Sequence, residues 1–319
     1  MIENTQKYRV VFMGTPEFAV PSLQALISNP SSISIEAVVT QPDKPVGRTS
    51  TPQPSPIKQL SIQNNLKVIT PEKIKHNTEF IMQLKSLNPD VIVVVAYGKI
   101  LPQEVLDIPQ HGVVNIHASL LPHYRGASPI TASILNGDKH TGVTLMKMEL
   151  EMDTGPIIAK SDNVEIKPDD TTASLTKKLM QVGADLLNQY LIQYLGNNIR
   201  PITQDDTQAT YVKIIHKEDG KIDWQNSAEM IDRQIRGYNP WPSAYTFWNG
   251  QRLKILMGQV ISSANQPTGR VWLTEDKFPA ISTNQNSVKL LSAQLEGKKP
   301  TSGQDFLQGH PDFIGANLN

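Results

Sequence analysis

Residues 91–96 read V-I-V-V-V-A, between N-P-D at 88–90 and Y-G at 97–98. A strand sends alternate side chains to opposite faces, so an unbroken apolar run has no face left for water. Such a run fits a strand covered on both sides, as in parallel sheets flanked by helices. Working outward, shorter apolar runs recur at Val10–Met13, Glu36–Thr40 and Val113–His117. Between the strands, Phe18–Ser28, Pro56–Asn64 and Glu79–Leu87 have helical patterns, with Ser55 and Pro56 as an N-cap and first-turn pair. Strands alternating with helices predict an α/β fold with a Rossmann-like open, mostly parallel sheet. Thr141–Met148 adds a strand. Ala173–Leu195 adds a long helix behind a Thr171–Thr172 cap.

After Leu195 the character changes. Residues 196–210 carry G-N-N, R-P and Q-D-D-T-Q, the composition of a linker. Beyond them Lys221–Trp224, Tyr245–Trp248, Leu253–Leu256, Gly269–Leu273 and Val288–Leu291 read as short strands, with one helix at Ala228–Arg236. Short strands with regular turns suggest a small barrel or sandwich. The expected organisation is therefore 1–195 as an α/β domain, 196–210 as a linker and 211–319 as a β domain. A chain of 319 residues is long enough for two domains.

Composition removes several classes of function. Thirty basic residues balance thirty acidic ones, so no global field advertises nucleic acid or membrane. Through residue 210 the count is 18 basic to 20 acidic, and afterwards 12 to 10, a tilt too small to argue for RNA. With no cysteine, disulfides, cysteine-ligated zinc, iron–sulfur clusters and a thiol nucleophile are all excluded. Met1–Arg9 is polar, and no run approaches the roughly 18–20 apolar residues that span a membrane. A cytoplasmic protein is expected.

The residues with chemical potential lie in Gly112–Pro129, G-V-V-N-I-H-A-S-L-L-P-H-Y-R-G-A-S-P. Asn115 and His117 stand two apart on an apolar strand, so their side chains share a face. Polar groups there either bond within the core or open into a site at the carboxyl end of the sheet. Asp153, in E-M-D-T-G-P, either orients the His117 imidazole or serves as an ordinary turn residue. Gly14, in G-T-P after the first strand, marks either a tight turn or a ligand's approach. The dinucleotide fingerprint G-x-G-x-x-G and the phosphate loop G-x-x-x-x-G-K-[ST] are both missing, which weakens nicotinamide and nucleotide readings.

N-I-H, S-L-L-P-x-Y-R-G-x-x-P and the downstream D-T-G together resemble the folate-dependent formyltransferases. G-T-P-E-F-A at 14–19, T-Q-P-D-K-P-x-G-R at 40–48 and V-V-V-A-Y-G-x-I-L-P at 93–102 extend the likeness, as do I-D-W at 222–224 and N-P-W-P at 239–242. The resemblance covers nearly the whole chain. It implies catalytic roles for Asn115, His117 and Asp153, and a folate-binding stretch at Ser119, Leu120, Leu121 and Pro122. It also implies a tRNA loop containing Arg48, and an OB-like β-barrel at 211–319 that contacts tRNA. The implied donor is 10-formyltetrahydrofolate, and the implied acceptor is the α-amino group of methionine on initiator tRNA. No metal is implied. The expected protein is a monomer with tRNA and folate as partners, without membrane or DNA. There are two departures from the pattern: Thr49-Ser50-Thr51 follow Arg48 where lysines are common, and Thr131 stands where glutamine is common. The same centre would serve a hydrolase of formyl-folate or a transferase to a small amine. I-D-W and N-P-W-P favour the tRNA enzyme.

The chemistry asks for a neutral amine, a stabilised oxyanion and a proton for the leaving nitrogen. An α-amino group ionises near about 7.7–8.0, so much of it is already neutral near pH 7. Asn115 suits an oxyanion donor, typically worth about 10²–10³ in rate. His117 suits a proton shuttle, worth about 10²–10⁴. Asp153 would set the imidazole's tautomer.

Overall fold

A computed structural model describes residues 7–45, 51–262 and 266–318. The chain divides into two compact units. One runs to Gly126 and also takes Thr141–Val164 and Thr176–Val212. The other takes Ala127–His140, Glu165–Leu175 and everything from Lys213 onward.

The first unit is built on a seven-stranded sheet. In chain order its strands are β1 (Tyr8–Gly14), β2 (Ile33–Val39), β3 (Val68–Ile69), β4 (Val91–Val95), β5 (Val113–His117), β6 (Thr144–Lys147) and β7 (Ile157–Lys160). The spatial order is β7-β6-β5-β4-β1-β2-β3. The pairs from β3 across to β5 are parallel, while the β5–β6 and β6–β7 pairs are antiparallel. That is the Rossmann-like sheet expected from the alternation, with an antiparallel edge. Every residue of β4 is buried, as an apolar run covered on both faces requires. Helices α1 (Val20–Ile27), α2 (Pro56–Gln63), α3 (Thr78–Ser86) and α4 (Gln103–Leu106) connect the strands. The Ser55 hydroxyl caps α2 by accepting from Lys58 N, and the Asn77 side chain caps α3 by accepting from Phe80 N. Gly14 closes β1 against protein: a Cβ there would lie 2.8 Å from Phe12, 2.9 Å from Ala19 and 3.0 Å from the Val95 carbonyl. Close packing explains this glycine without a ligand.

The second unit carries helix α5 (Pro129–Asn136), the first turn of α6 (Thr172–Leu195), and helices α7 (Ala228–Gly237) and α8 (Gly303–Gly309). Its sheet is antiparallel, with strands β8 (Ala244–Trp248), β9 (Gln251–Ile261), β10 (Val271–Leu273), β11 (Pro279–Ser282), β12 (Ser287–Leu295) and β13 (Thr301–Ser302). The order is β8-β9-β12-β11-β10, with β13 also on β12, forming the half-barrel that the short strands suggested. Register shifts beside Met257 in β9 help it bend. Ile231 and Ile235 of α7 pack with Leu253, Val288 and Leu290, and Trp248, Phe306 and Phe313 stack edge to face at one end. Lys221–Trp224 differs from expectation. Only Lys221 bridges to Tyr245, while the Trp224 ring turns into the core and its Nε1 donates to Thr246.

Residues 196–210, expected to be a linker, are fastened along the first unit. Ile202 exchanges two backbone hydrogen bonds of 2.8 Å with Ile157, and Gln204 is buried.

Candidate functional site

β5 ends the parallel run of the sheet, and its last turns of backbone carry the polar pair. Asn115 lies in register between Val94 of β4 and Met146 of β6, half-buried, and His117 lies opposite Thr144. Alternation puts both side chains on one face. His117 is 95% buried by residue, so its ring nitrogens must find partners inside the protein. Nε2 is 2.9 Å from the Tyr124 carbonyl, and Nδ1 is 3.5 Å from Oδ2 of Asp153. The structure thus brings His117 and Asp153 together across 36 positions of sequence and places Asn115 two residues before His117 on the same strand face.

Asp153 occupies the turn between β6 and β7 with φ 57, a left-handed conformation that Asp tolerates better than most residues. Its Oδ2 also accepts from Gly126 N at 2.9 Å. Tyr124, whose carbonyl faces the imidazole, and Gly126, whose amide faces the carboxylate, flank Arg125. Arg125–Gly126 pairs in parallel with Tyr211–Val212. Gly126 has φ 122, and a Cβ on it would lie 2.3 Å from the Val212 carbonyl, so only glycine fits.

Sequence reasoning missed the groups behind this centre. Arg125 is 1% exposed. Its Nε and Nη2 donate to Oε1 of Gln204 at 3.1 and 2.9 Å, its Nη2 to Asp206 at 2.7 Å and its Nη1 to the Tyr211 hydroxyl at 3.2 Å. The Gln204 amide nitrogen in turn donates to the carbonyls of Asp153 and Gly155 at 2.8 and 2.7 Å. The available signal was a charged residue inside a mostly apolar segment, at Y-R-G. Gln204 gave none, being polar within a polar stretch.

The Ser119–Pro122 stretch is locked from beneath. The Thr144 hydroxyl donates to Ser119 O and accepts from Leu121 N, and the Ser119 hydroxyl donates to His123 O. Leu120 O accepts from His123 N, and Pro122 O accepts from Thr210 N. Ser119 and Leu121 are fully buried, so the stretch offers its half-buried Leu120 and Pro122 as an apolar wall. Nearby in the sheet, Tyr97 follows β4 with its hydroxyl buried and unpartnered, and burial pushes its phenol well above the ordinary range. Its carbonyl accepts from Thr15 and Gln41. Lys99 donates to the Pro71 and Glu72 carbonyls, and burial, helped by the Lys44 charge, lowers its ammonium from the ordinary value. Thr131 lies in the second unit, where its hydroxyl is 3.2 Å from that of Thr172 and belongs to packing around α5. Arg48 lies outside the described residues. Two clefts of the second unit, about 330 and 170 Å³, include none of Asn115, His117 and Asp153. Among the described residues, no group of three or more His, Cys, Asp or Glu could hold a metal ion.

An imidazole between a carbonyl and a carboxylate, beside an asparagine on the same strand face, can donate hydrogen bonds and move a proton at a substrate carbonyl. Such an arrangement has the groups that acyl transfer asks for. The family pattern for formyl transferase matches residues 8–191, and that for the formyl transferase C-terminal domain matches residues 214–311. The chain belongs to the formyl transferase family. It is 45% identical over 303 residues to a methionyl-tRNA formyltransferase of Caldanaerobacter subterraneus subsp. tengcongensis, covering 95% of this chain and 97% of that one. It is 44% identical over 300 residues to that of Thermodesulfovibrio yellowstonii, covering 94% and 95%. Among solved structures, the sugar 3N-formyl transferase WlaRD superposes with a TM-score of 0.64 at 20% identity, over 92% of this chain and 100% of that one. At that identity the likeness speaks for the fold.

Proposed function

We propose that this formyl transferase moves a formyl group from 10-formyltetrahydrofolate to the α-amino group of methionine on initiator tRNA, for use in translation initiation. The observation that carries the reading is the His117 ring held between Tyr124 O and Asp153 Oδ2 at the carboxyl end of β5, beside Asn115. The relatives named methionyl-tRNA formyltransferase, at over 40% identity across nearly the whole chain, support the choice of acceptor.

Asn115 donates to the oxyanion that develops at the formyl carbon, a role its neutral amide plays at any pH. His117 passes a proton between the attacking amine and the leaving nitrogen, and Asp153 holds the ring and balances its charge. The apolar wall of Leu120 and Pro122 suits a flat aromatic ring, and the clamped backbone of Ser119–Pro122 keeps that wall rigid. The β unit at 211–319, which includes the 214–311 match, contacts the tRNA, and Arg48 adds a phosphate contact. The working form is a cytoplasmic monomer that handles RNA and not DNA. Among the described residues no helix is long and apolar enough to cross a membrane.

The direct test supplies 10-formyltetrahydrofolate and charged initiator tRNA and looks for formyl-methionine. Release of formate without transfer would favour a hydrolase, and transfer to a small amine alone would favour a different branch of the family. For Arg48→Ala, tRNA affinity should weaken and its salt dependence flatten by about one counterion. An unchanged slope removes Arg48 from the tRNA contact.

A further inference from the structure

We propose that Gln204 is a positioning residue for the formyl-transfer reaction, fixing the turn that presents Asp153 to His117 while Arg125 fixes Gln204. The inference rests on the catalytic reading of Asp153. Gln204 lies 51 residues after Asp153 in a stretch whose composition is that of a linker, yet it is 7% exposed.

Its amide is saturated. An amide nitrogen has two N–H groups and its oxygen two lone pairs. Both donors go to Asp153 O and Gly155 O, and the oxygen accepts from Nε and Nη2 of Arg125. The orientation cannot be reversed. Turning the amide over would set its oxygen against two carbonyls and its N–H groups against a guanidinium. Arg125 is oriented in its own right by Asp206 and Tyr211.

The turn needs this clamp. Asp153 stands at φ 57, in the left-handed region that residues with a side chain seldom occupy. The two carbonyls that Gln204 holds flank Thr154, so one side chain fixes both sides of the turn. The same stretch of chain supplies Thr210, whose hydroxyl accepts from Tyr124 N and whose carbonyl accepts from Arg125 N. Tyr124 O is the acceptor facing His117 Nε2. Residues 202–211 thus hold both sides of the imidazole: the Asp153 turn through Gln204, and the Tyr124 carbonyl through Thr210. Gln204 touches no reacting group, and its influence passes through the backbone of residues 153–155.

Gln204→Glu is the informative variant. A carboxylate keeps its partner in Arg125 as an ion pair, so the buried guanidinium is not orphaned, but it has no N–H for Asp153 O and Gly155 O. The expected result in the full-length protein is a turnover lower by about tenfold to a hundredfold, as for a displacement of a reacting geometry by about an ångström. KM for charged tRNA and for the formyl donor should stay within about twofold. The decisive readout is the cycle with Asp153→Asn. If Gln204 acts through Asp153, the double variant is no slower than Asp153→Asn alone, within a factor of about three. Losses that multiply would overturn the proposal, as would wild-type turnover in Gln204→Glu. Loss of fold in Gln204→Glu would overturn it too, since the residue would then be structural only. The underlying reading fails separately: an Asp153→Asn enzyme with wild-type turnover sinks the role of Asp153 itself, whatever Gln204 does.

Discussion

The His117 ring faces an acceptor at each nitrogen, the Tyr124 carbonyl at Nε2 and the Asp153 carboxylate at Nδ1. A neutral imidazole has one N–H and serves one of them, whereas a ring carrying both protons serves both. A ring so placed can accept a proton during reaction without moving. His117→Ala and Asn115→Ala should each lower single-turnover rates by about two decades or more, with melting temperatures near that of the parent. Near-normal rates in either variant would remove that residue from the mechanism. Tyr97 makes a different point about single residues. Its hydroxyl is buried without a partner, which costs about 1–3 kcal/mol, so Tyr97→Phe should be as stable as the parent or more so at neutral pH. The pH dependence has a definite sign. Burial raises the folded-state phenol above its unfolded value, so its contribution is complete below about pH 10 and is lost as pH climbs beyond that. Denaturant titrations at pH 8 and pH 11 should therefore show a smaller alkaline loss in Tyr97→Phe. Some loss persists through Tyr194 and Tyr238, whose phenols burial also raises. An alkaline loss equal to the parent's would show that Tyr97 ionises freely in the folded chain.

At the scale of elements, the turn between β6 and β7 joins fold to chemistry. A Cβ on Gly155 would lie 1.9 Å from the Lys147 carbonyl at the end of β6, so the backbone must shift to accept any side chain. Gly155→Ala should destabilise by about 1–3 kcal/mol. It should also lower turnover at temperatures where the variant is fully folded, because the moved turn carries Asp153. A folded variant with parental turnover would show that the turn and the site are independent. The sequence made some of these elements legible and hid others, for physical reasons. The β4 run stands out because burial on both faces demands unbroken apolar residues, and Val113–His117 because two polar residues interrupt an apolar strand. Thr172–Leu195 announces itself by length, and Ser55 by its side-chain cap. Pro279–Ser282 was not legible, being four residues long and opening with proline. Helix α5 was hidden as well, since Ser128 makes no side-chain cap and the eight residues that follow are too few to show a period. At the site, Asn115, His117 and Asp153 were legible from residue type and motif. Gln204 was not, because a hydrogen-bond partner distant in sequence leaves no local trace.

For the whole molecule, the feature least visible in the sequence is how often the chain changes unit. It crosses between them after Gly126, His140, Val164, Leu175 and Val212, so neither unit is one continuous stretch. The composition break near residue 196 marks a change of secondary structure and not the edge of a compact body. The consequences lie inside the second unit. Helix α5 buries Pro129, Thr131, Ser133 and Ile134, and a Cβ on Gly237 of α7 would lie 2.9 Å from Leu135. Thr172 donates to Gly237 O, and Arg236 donates to Asp170 O. A fragment ending at Val212 keeps Gln204, Thr210 and the complete first unit. It also keeps α5 and residues 165–175 but removes the α7 that they pack against. Such a fragment should melt well below the full chain, by roughly 10 °C if about 2–3 kcal/mol of packing is lost. It should bind apolar dyes through the uncovered face of α5. A fragment ending at Leu195 should fare worse, since it also loses the stretch that fastens the Asp153 turn. Calorimetry of the full chain and the two fragments checks the order. If the fragment ending at Val212 melts cooperatively at the full chain's temperature, α5 does not depend on α7 and the two units are separable after all.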